Sequence, residues 1–385
     1  MSLPLSALLL RSSALVSIRK GRRAPAEGTP PHKCQEIANK FLSRSRVLAA
    51  DGYIVYDIQD EPGRTDAERP FPFRRVMDSS GHASLLARSS GRDCVVYKCV
   101  ADREFDGWLE RARRTHGHSC VNLVGRASSK GEYQGPTISE AMARVAAADG
   151  MEFGCVCIAE RHTVEAARAR GRDYPTEHLN MVRKHRAGAG WFISQAVYDS
   201  SQTVRLLKDY AAVCRSEGLA PRKVVLTFAP VSRKKTMNFI KWLGVRVPEE
   251  AEAEILSAER PVDRSIGFLC DVLREILAEC AGVGVPLGIS CESVSIFKAE
   301  IDGVHELFRR LQCILLDSRG SPWKVSWVEV FPPANCEADE EESGEVAPSS
   351  AITERDPYDV ARAGLLGVIV GGTAVSLGVM LGKKR

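Results

Sequence analysis

From about residue 50 to 310 the chain alternates short, β-branched apolar runs with longer segments of helical periodicity, and that alternation is what most limits its fold. Strands that alternate with helices are joined by crossovers and so lie parallel, with helices covering them. The apolar runs are Tyr53–Ile58, Cys94–Val100, Cys120–Val124, Phe153–Ile158, Trp191–Val197, Lys223–Phe228 and Val285–Ile289. Helical patterns span Asp102–Thr115, Thr137–Ala148, Thr176–Ala187, Ser200–Glu217, Ser232–Leu243 and Val294–Leu311. An extra pair, Glu249–Ser257 and Arg264–Ala281, precedes the last strand. An eighth strand is assigned to Phe73–Met77, where the pattern is weak and flanked by Pro70 and Pro72. Eight such units predict an α/β chain folded as a (β/α)8 TIM-type barrel over residues 31–335, with its active site where the strands end. A doubly wound open sheet fits the same alternation, but no GxGxxG follows the first strand. Trp323–Phe331 reads as one more strand over the barrel.

Both ends differ from this middle. Residues 1–30 hold Arg11, Arg19, Lys20, Arg22 and Arg23 among serines and leucines, with no acidic residue before Glu27. That composition suits an organelle transit peptide or a disordered tail. Residues 336–360 are acidic, then Pro/Ser-containing, and read as a disordered linker. Ala363–Gly382 carries no charge and is closed by Lys383-Lys384-Arg385. Its length and edges predict a single transmembrane helix over 361–382. A tail anchor in an organelle membrane, mitochondrial given the N-terminus, is the location these ends predict.

The net charge of +4 comes from intermixed acids and bases, which gives no case for nucleic acid. Twelve cysteines include no CxxC pair, and no Cys/His group has zinc spacing. They read as small buried hydrophobes in a reducing compartment, and no metal is expected.

Polar residues gather around two neighbouring strands. Glu160-Arg161-His162 follow Phe153–Ile158, and Glu177, Asn180, Arg183 and Lys184 populate the next helix, with Asn180 and Lys184 on one face. Gln195 then interrupts the apolar run Trp191–Val197, and a buried amide there needs partners from the protein or from a ligand.

Over roughly residues 50–310 this text resembles the methylenetetrahydrofolate reductase family. The matching stretches are CIAERHT, EHLNMVRKHRAGAGWFISQAVYD, APVSRKKTMNFIKWLGVRVPEE and, upstream, VNLVGRASSKGEYQGPTISEAM. The resemblance implies hydride transfer from NAD(P)H through FAD to 5,10-methylenetetrahydrofolate, giving 5-methyltetrahydrofolate. By motif position it gives FAD to Arg126, His162, Glu177, Asn180, Arg183 and Lys184. Gln195 takes folate and nicotinamide, and Asp57 the proton donation that opens the substrate ring, with Glu61 as its substitute. The chain departs from the family in four places: Arg126-Ala127-Ser128 replaces Arg-Gly-Asp, Val96 falls near the third-strand histidine, Glu292-Ser293 replaces Asn-Arg, and Arg233 or Lys234 stands for the phenylalanine after the Pro-Val-Ser turn. The alternative is a barrel of altered substrate, or a non-catalytic one, acting as a membrane-tethered binding module for a folate-type small molecule. Assembly into a homo-oligomer stays open.

Overall fold

The computed structural model describes residues 16–18, 25–60, 67–125, 134–295 and 297–318. Residues 1–15 and 19–24 of the leader, Glu61, Arg126, the 323–331 run, the acidic linker and the tail span lie outside the described residues. Among the described residues no helix is long and apolar enough to cross a membrane. One compact unit runs to Leu315; a second, 316–366, is described only at 316–318.

Seven parallel strands follow one another in chain order and curl into a cylinder: β2 (Gly52–Val55), β3 (Cys94–Cys99), β4 (Cys120–Val124), β5 (Glu152–Cys157), β6 (Trp191–Ala196), β7 (Lys223–Phe228) and β8 (Leu287–Cys291). A three-residue strand, β1 (Val16–Ile18), pairs with both β2 and β8 and closes the ring. The eighth strand is therefore not Phe73–Met77. There Val76 makes only an isolated antiparallel bridge to Ala26. Prolines at 70 and 72 remove ladder donors beside it, which keeps the segment out of a central position. The closing strand instead comes from within the stretch read as a leader.

Helices wrap the outside: α1 (Pro31–Ser45), α2 (Ser79–Ser90), α3 (Phe105–Glu110, extended by a π turn to Thr115), α4 (Ile138–Ala147), α5 (Val164–Arg168), α6 (Glu177–Arg186), α7 (Ser200–Ser216), α8 (Lys234–Trp242), α9 (Glu249–Ser257), α10 (Pro261–Glu279) and α11 (Lys298–Asp317). Several starts are written locally. Asp78 accepts hydrogen bonds from the Ser80 and Gly81 amides to open α2, and Asp199 does the same for α7 with Ser201 and Gln202. Thr137 and Glu140 form a reciprocal capping box on α4. Each such cap satisfies amides that the first helical turn leaves without partners.

Strand alternation sorts side chains into two layers. Val96, Val121, Phe153, Phe192, Leu226 and Ile289 face outward and pack under the helices. Ile54, Val95, Cys120, Trp191, Ile193 and Val225 fill the cylinder. The Trp191 indole crosses directly over Gly154 of β5, where an added Cβ would collide with its ring nitrogen. This plug fills the interior, so an open space remains only nearer the strand ends.

Candidate functional site

That space is a cavity of about 330 Å³ at the C-terminal mouth of the cylinder, a size typical of small-molecule sites. Tyr56, Asp57, Tyr97, Cys99, Val156, Ile158, Ser194, Gln195, Thr227 and Glu292 line it from the strands and the residues just after them. Arg161 lines it from the turn after β5, and Glu177, Asn180, Arg183 and Lys184 line it from α6. Seven residues singled out from sequence thus share one pocket: Asp57, Arg161, Glu177, Asn180, Arg183, Lys184 and Gln195.

The α6 residues reach the pocket because the helix crosses the end of β5. Glu177, in its first turn, accepts from the Ile158 amide at 3.3 Å and from the Asn180 side-chain amide at 3.2 Å. A carboxylate at a helix N-terminus is also favoured by the helix dipole. One turn from the other end, the Lys184 ammonium donates to the Val156 carbonyl at 2.8 Å. Arg183 donates to Ser139 Oγ at 3.1 Å.

Gln195 sits where the β6–β7 register slips between Ile193 and Ala196. Irregularities of this kind re-aim side chains at barrel rims, and here Ser194, Gln195 and Ala196 all border the cavity. Ser194 Oγ accepts from the Thr227 amide, and Thr227 Oγ1 donates to the Ser194 carbonyl, pinning the distortion. The Gln195 amide donates to the Leu243 carbonyl at 2.6 Å, which holds its head at the cavity wall.

Asp57 follows β2 and is clamped by three groups. Its carboxylate accepts from the Cys99 amide at 2.9 Å and from the Gln59 side chain at 2.8 Å, and Lys98 lies 3.6 Å away. Burial pushes its carboxyl above the ordinary range, with the Lys98 charge pulling the other way. Lys98 is itself buried, which opposes its charge, but Asp57 and Asp102 outweigh burial and raise its pKa. Its ammonium bonds Asp102 at 2.7 Å and lies 5.2 Å from the Trp108 ring centre. An acid poised this way can hold or release a proton at the mouth.

His162 does not join them. Its ring is buried outside the cavity lining, with Nε2 hydrogen-bonded to Asp209 of α7 at 2.8 Å. The motif match gives its position in the sequence, but the turn at Ala159–Arg161 directs the ring toward α7. Arg126 lies outside the described residues.

Sequence reasoning passed over Tyr56 and Tyr97. Their rings are 4.1 Å apart and inclined at 45° on the cavity wall. Period two from Ile54 and from Val95 would have placed both inward. Glu292 was noted only as a departure from the family, yet it is a buried carboxylate on the lining.

No family model and no curated protein matches the chain. The fold defines a class, the curled parallel α/β barrels with a site at the strand ends. Several solved structures superpose over most of the chain, and of the two compared the first is the more similar. It is an uncharacterized protein from Clostridium thermocellum that binds two copies of 5-methyl-5,6,7,8-tetrahydrofolic acid, with a TM-score of 0.65 and 24% identity, covering 81% of this chain and 100% of that one. The likeness shows the fold. The carboxyl transferase domain of Rhizobium etli pyruvate carboxylase aligns much more loosely, at a TM-score of 0.41 and 10% identity over 82% of this chain and 48% of that one.

Proposed function

We propose that this chain binds a reduced folate in the mouth cavity. The observation that carries the reading is the convergence of Asp57, Gln195 and Glu292 with the Tyr56–Tyr97 pair and three cations in one pocket. A reduced folate has matching parts: a pterin rich in hydrogen-bonding groups, an aromatic linker and an anionic glutamate tail. Carboxylates and a carboxamide suit the pterin edge, the tyrosines give its linker an aromatic face, and Arg161, Arg183 and Lys184 suit the tail carboxylates. The tetrahydrofolate-binding barrel from Clostridium thermocellum, similar along its whole length, supports the same ligand class.

The finer reading is the reductase that the sequence resemblance implies. Asp57 would supply the proton for ring opening and Gln195 would orient the substrate. FAD, when bound, would supply the hydride chemistry. Of the residues carried over to FAD, Glu177, Asn180, Arg183 and Lys184 line the cavity, but His162 is turned away on Asp209. The set thus fits FAD incompletely. A membrane span at 361–382 would hold the site at an organelle surface.

Calorimetric titration with 5-methyltetrahydrofolate tests the proposal. Saturable binding is expected, weakened about ten-fold in Gln195→Ala, the scale of one hydrogen bond to the ligand. Absence of binding to the folded wild-type chain refutes it. Flavin absorbance in the purified protein, with NAD(P)H oxidation coupled to methylenetetrahydrofolate, would support the reductase. Folate binding to a colourless protein that takes up no FAD would leave a binding module.

A further inference from the structure

Outside the mouth cavity, three residues from three elements meet on the flank of the barrel. His162 follows the turn after β5, His178 is in the first turn of α6, and Asp209 is midway along α7. One nitrogen of each imidazole and one carboxylate oxygen lie within 4.8 Å of one another. The two rings meet edge to face with centres 4.9 Å apart. We propose that His162, His178 and Asp209 form a divalent-metal site suited to zinc, with solvent supplying the fourth ligand.

The hydrogen-bonding pattern of the imidazoles is the second observation. His162 is 1% exposed, and with Nε2 on Asp209 its Nδ1 has no hydrogen-bond partner among the described residues. The Nδ1 of His178 is likewise buried without a partner. Buried polar atoms are satisfied in the great majority of cases, so two such nitrogens on touching rings call for a partner. In either tautomer His162 keeps one unsatisfied ring atom: a lone pair at Nδ1 if Nε2 carries the proton, an N–H there if it does not. A cation shared with Asp209 would take His162 through Nε2 and His178 through its unpartnered Nδ1, giving that buried atom a partner.

Zinc suits the donor set, since it takes imidazole nitrogen and carboxylate oxygen at about 2.0–2.2 Å in tetrahedral geometry, with a water completing three-ligand sites. Closing onto such an ion needs the three atoms to draw together by roughly an ångström. Partly exposed His178 and Asp209, whose side chain is 48% exposed, can swing inward while His162 stays fixed. The exposed side of Asp209 also gives the ion its entry and the water its place. The ion would tie the turn after β5 to α6 and α7, and α6 is the helix that lines the mouth cavity. The site stands or falls independently of the folate reading.

The test is a zinc titration of the full chain after chelator treatment, in competition with a chromophoric indicator. One equivalent is expected, weakened ~100-fold or more in His178→Ala and in Asp209→Asn, because losing an outer-shell partner alone already costs ~10–100-fold. Both positions are partly exposed, so the variants should fold, which circular dichroism checks. Cobalt substitution should give visible d–d absorption without the thiolate charge-transfer band that a cysteine ligand would add. No bound equivalent in the wild type overturns the proposal. So does equal affinity in the His178→Ala/Asp209→Asn double variant, or a thiolate band lost on cysteine replacement.

Discussion

Replacing Lys98 by methionine keeps most of the stem beneath the mouth and removes its charge. The ammonium is 3.6 Å from the Asp57 carboxylate, with side chains 5% and 13% exposed. At an effective dielectric of about 20, charges at that distance attract by ~4–5 kcal/mol before relaxation. Part of this is recovered, because Asp57 keeps the Cys99 amide and the Gln59 side chain. Asp102, with its side chain 35% exposed, can rehydrate. A net loss of about 3 kcal/mol follows, the low end of what removing one partner of a buried ion pair costs. Adding Asp57→Asn removes the orphaned charge and should return about 2 kcal/mol, so the two substitutions will not be additive. The sign with pH is also fixed. A carboxyl whose folded pKa is raised contributes stability that is present at low pH and lost as pH climbs through that value. The Lys98→Met deficit should therefore shrink on going from about pH 8 to about pH 5, as Asp57 takes up a proton. Urea unfolding followed by tryptophan fluorescence reads all of this, with Trp108 beside the substituted side chain. A deficit below about 1 kcal/mol, or a double variant no better than the single, would refute the argument that charge pairing holds Asp57 in place.

Two further outcomes follow from the same structure. Burial lifts the Glu160 carboxyl to about 7 from an ordinary 4.5, so its contribution to stability is intact below about pH 4.5 and drains away as pH rises through about 7. Glu160→Gln should flatten melting temperature against pH over that window and gain ~2 kcal/mol near pH 8; a slope unchanged from wild type excludes Glu160 as its source. Gly154→Ala drives a methyl into the Trp191 indole and should cost about 1–3 kcal/mol in urea unfolding, as overpacking does; an unaltered midpoint would show that the plug repacks freely.

Periodicity made the cylinder legible because each strand is a short apolar run and each covering helix keeps its stripe. The pair predicted at Glu249–Ser257 and Arg264–Ala281 was visible for that reason, the second helix running Pro261–Glu279. Alternation said less where apolar content was thin: α2 is built from SSGHASLLARSS, and only its Asp78 cap and Gly91 end mark it. Phe73–Met77 counts as a strand only to complete eight, on a weak pattern, and the prolines beside it deny it donors. The site divides in the same way. Gln195 and Lys184 stood out as polar residues in apolar or helical contexts, whereas Tyr56 and Tyr97 merge with the apolar residues around them. No sequence pattern gives the direction in which the His162 ring turns, and the His162–His178–Asp209 group is invisible to ligand spacing because its members come from a turn and two helices.

Among the described residues the mouth carries three carboxylates, Asp57, Glu177 and Glu292, against three cations, Arg161, Arg183 and Lys184. Opposite signs so closely mixed cancel within a few ångströms, so little field reaches out past the rim to pull in an anion from solution. Molecules carrying only negative charge gain nothing by drifting near. Residence is won only by a shape that meets both signs at once, and discrimination falls to dissociation rather than to encounter.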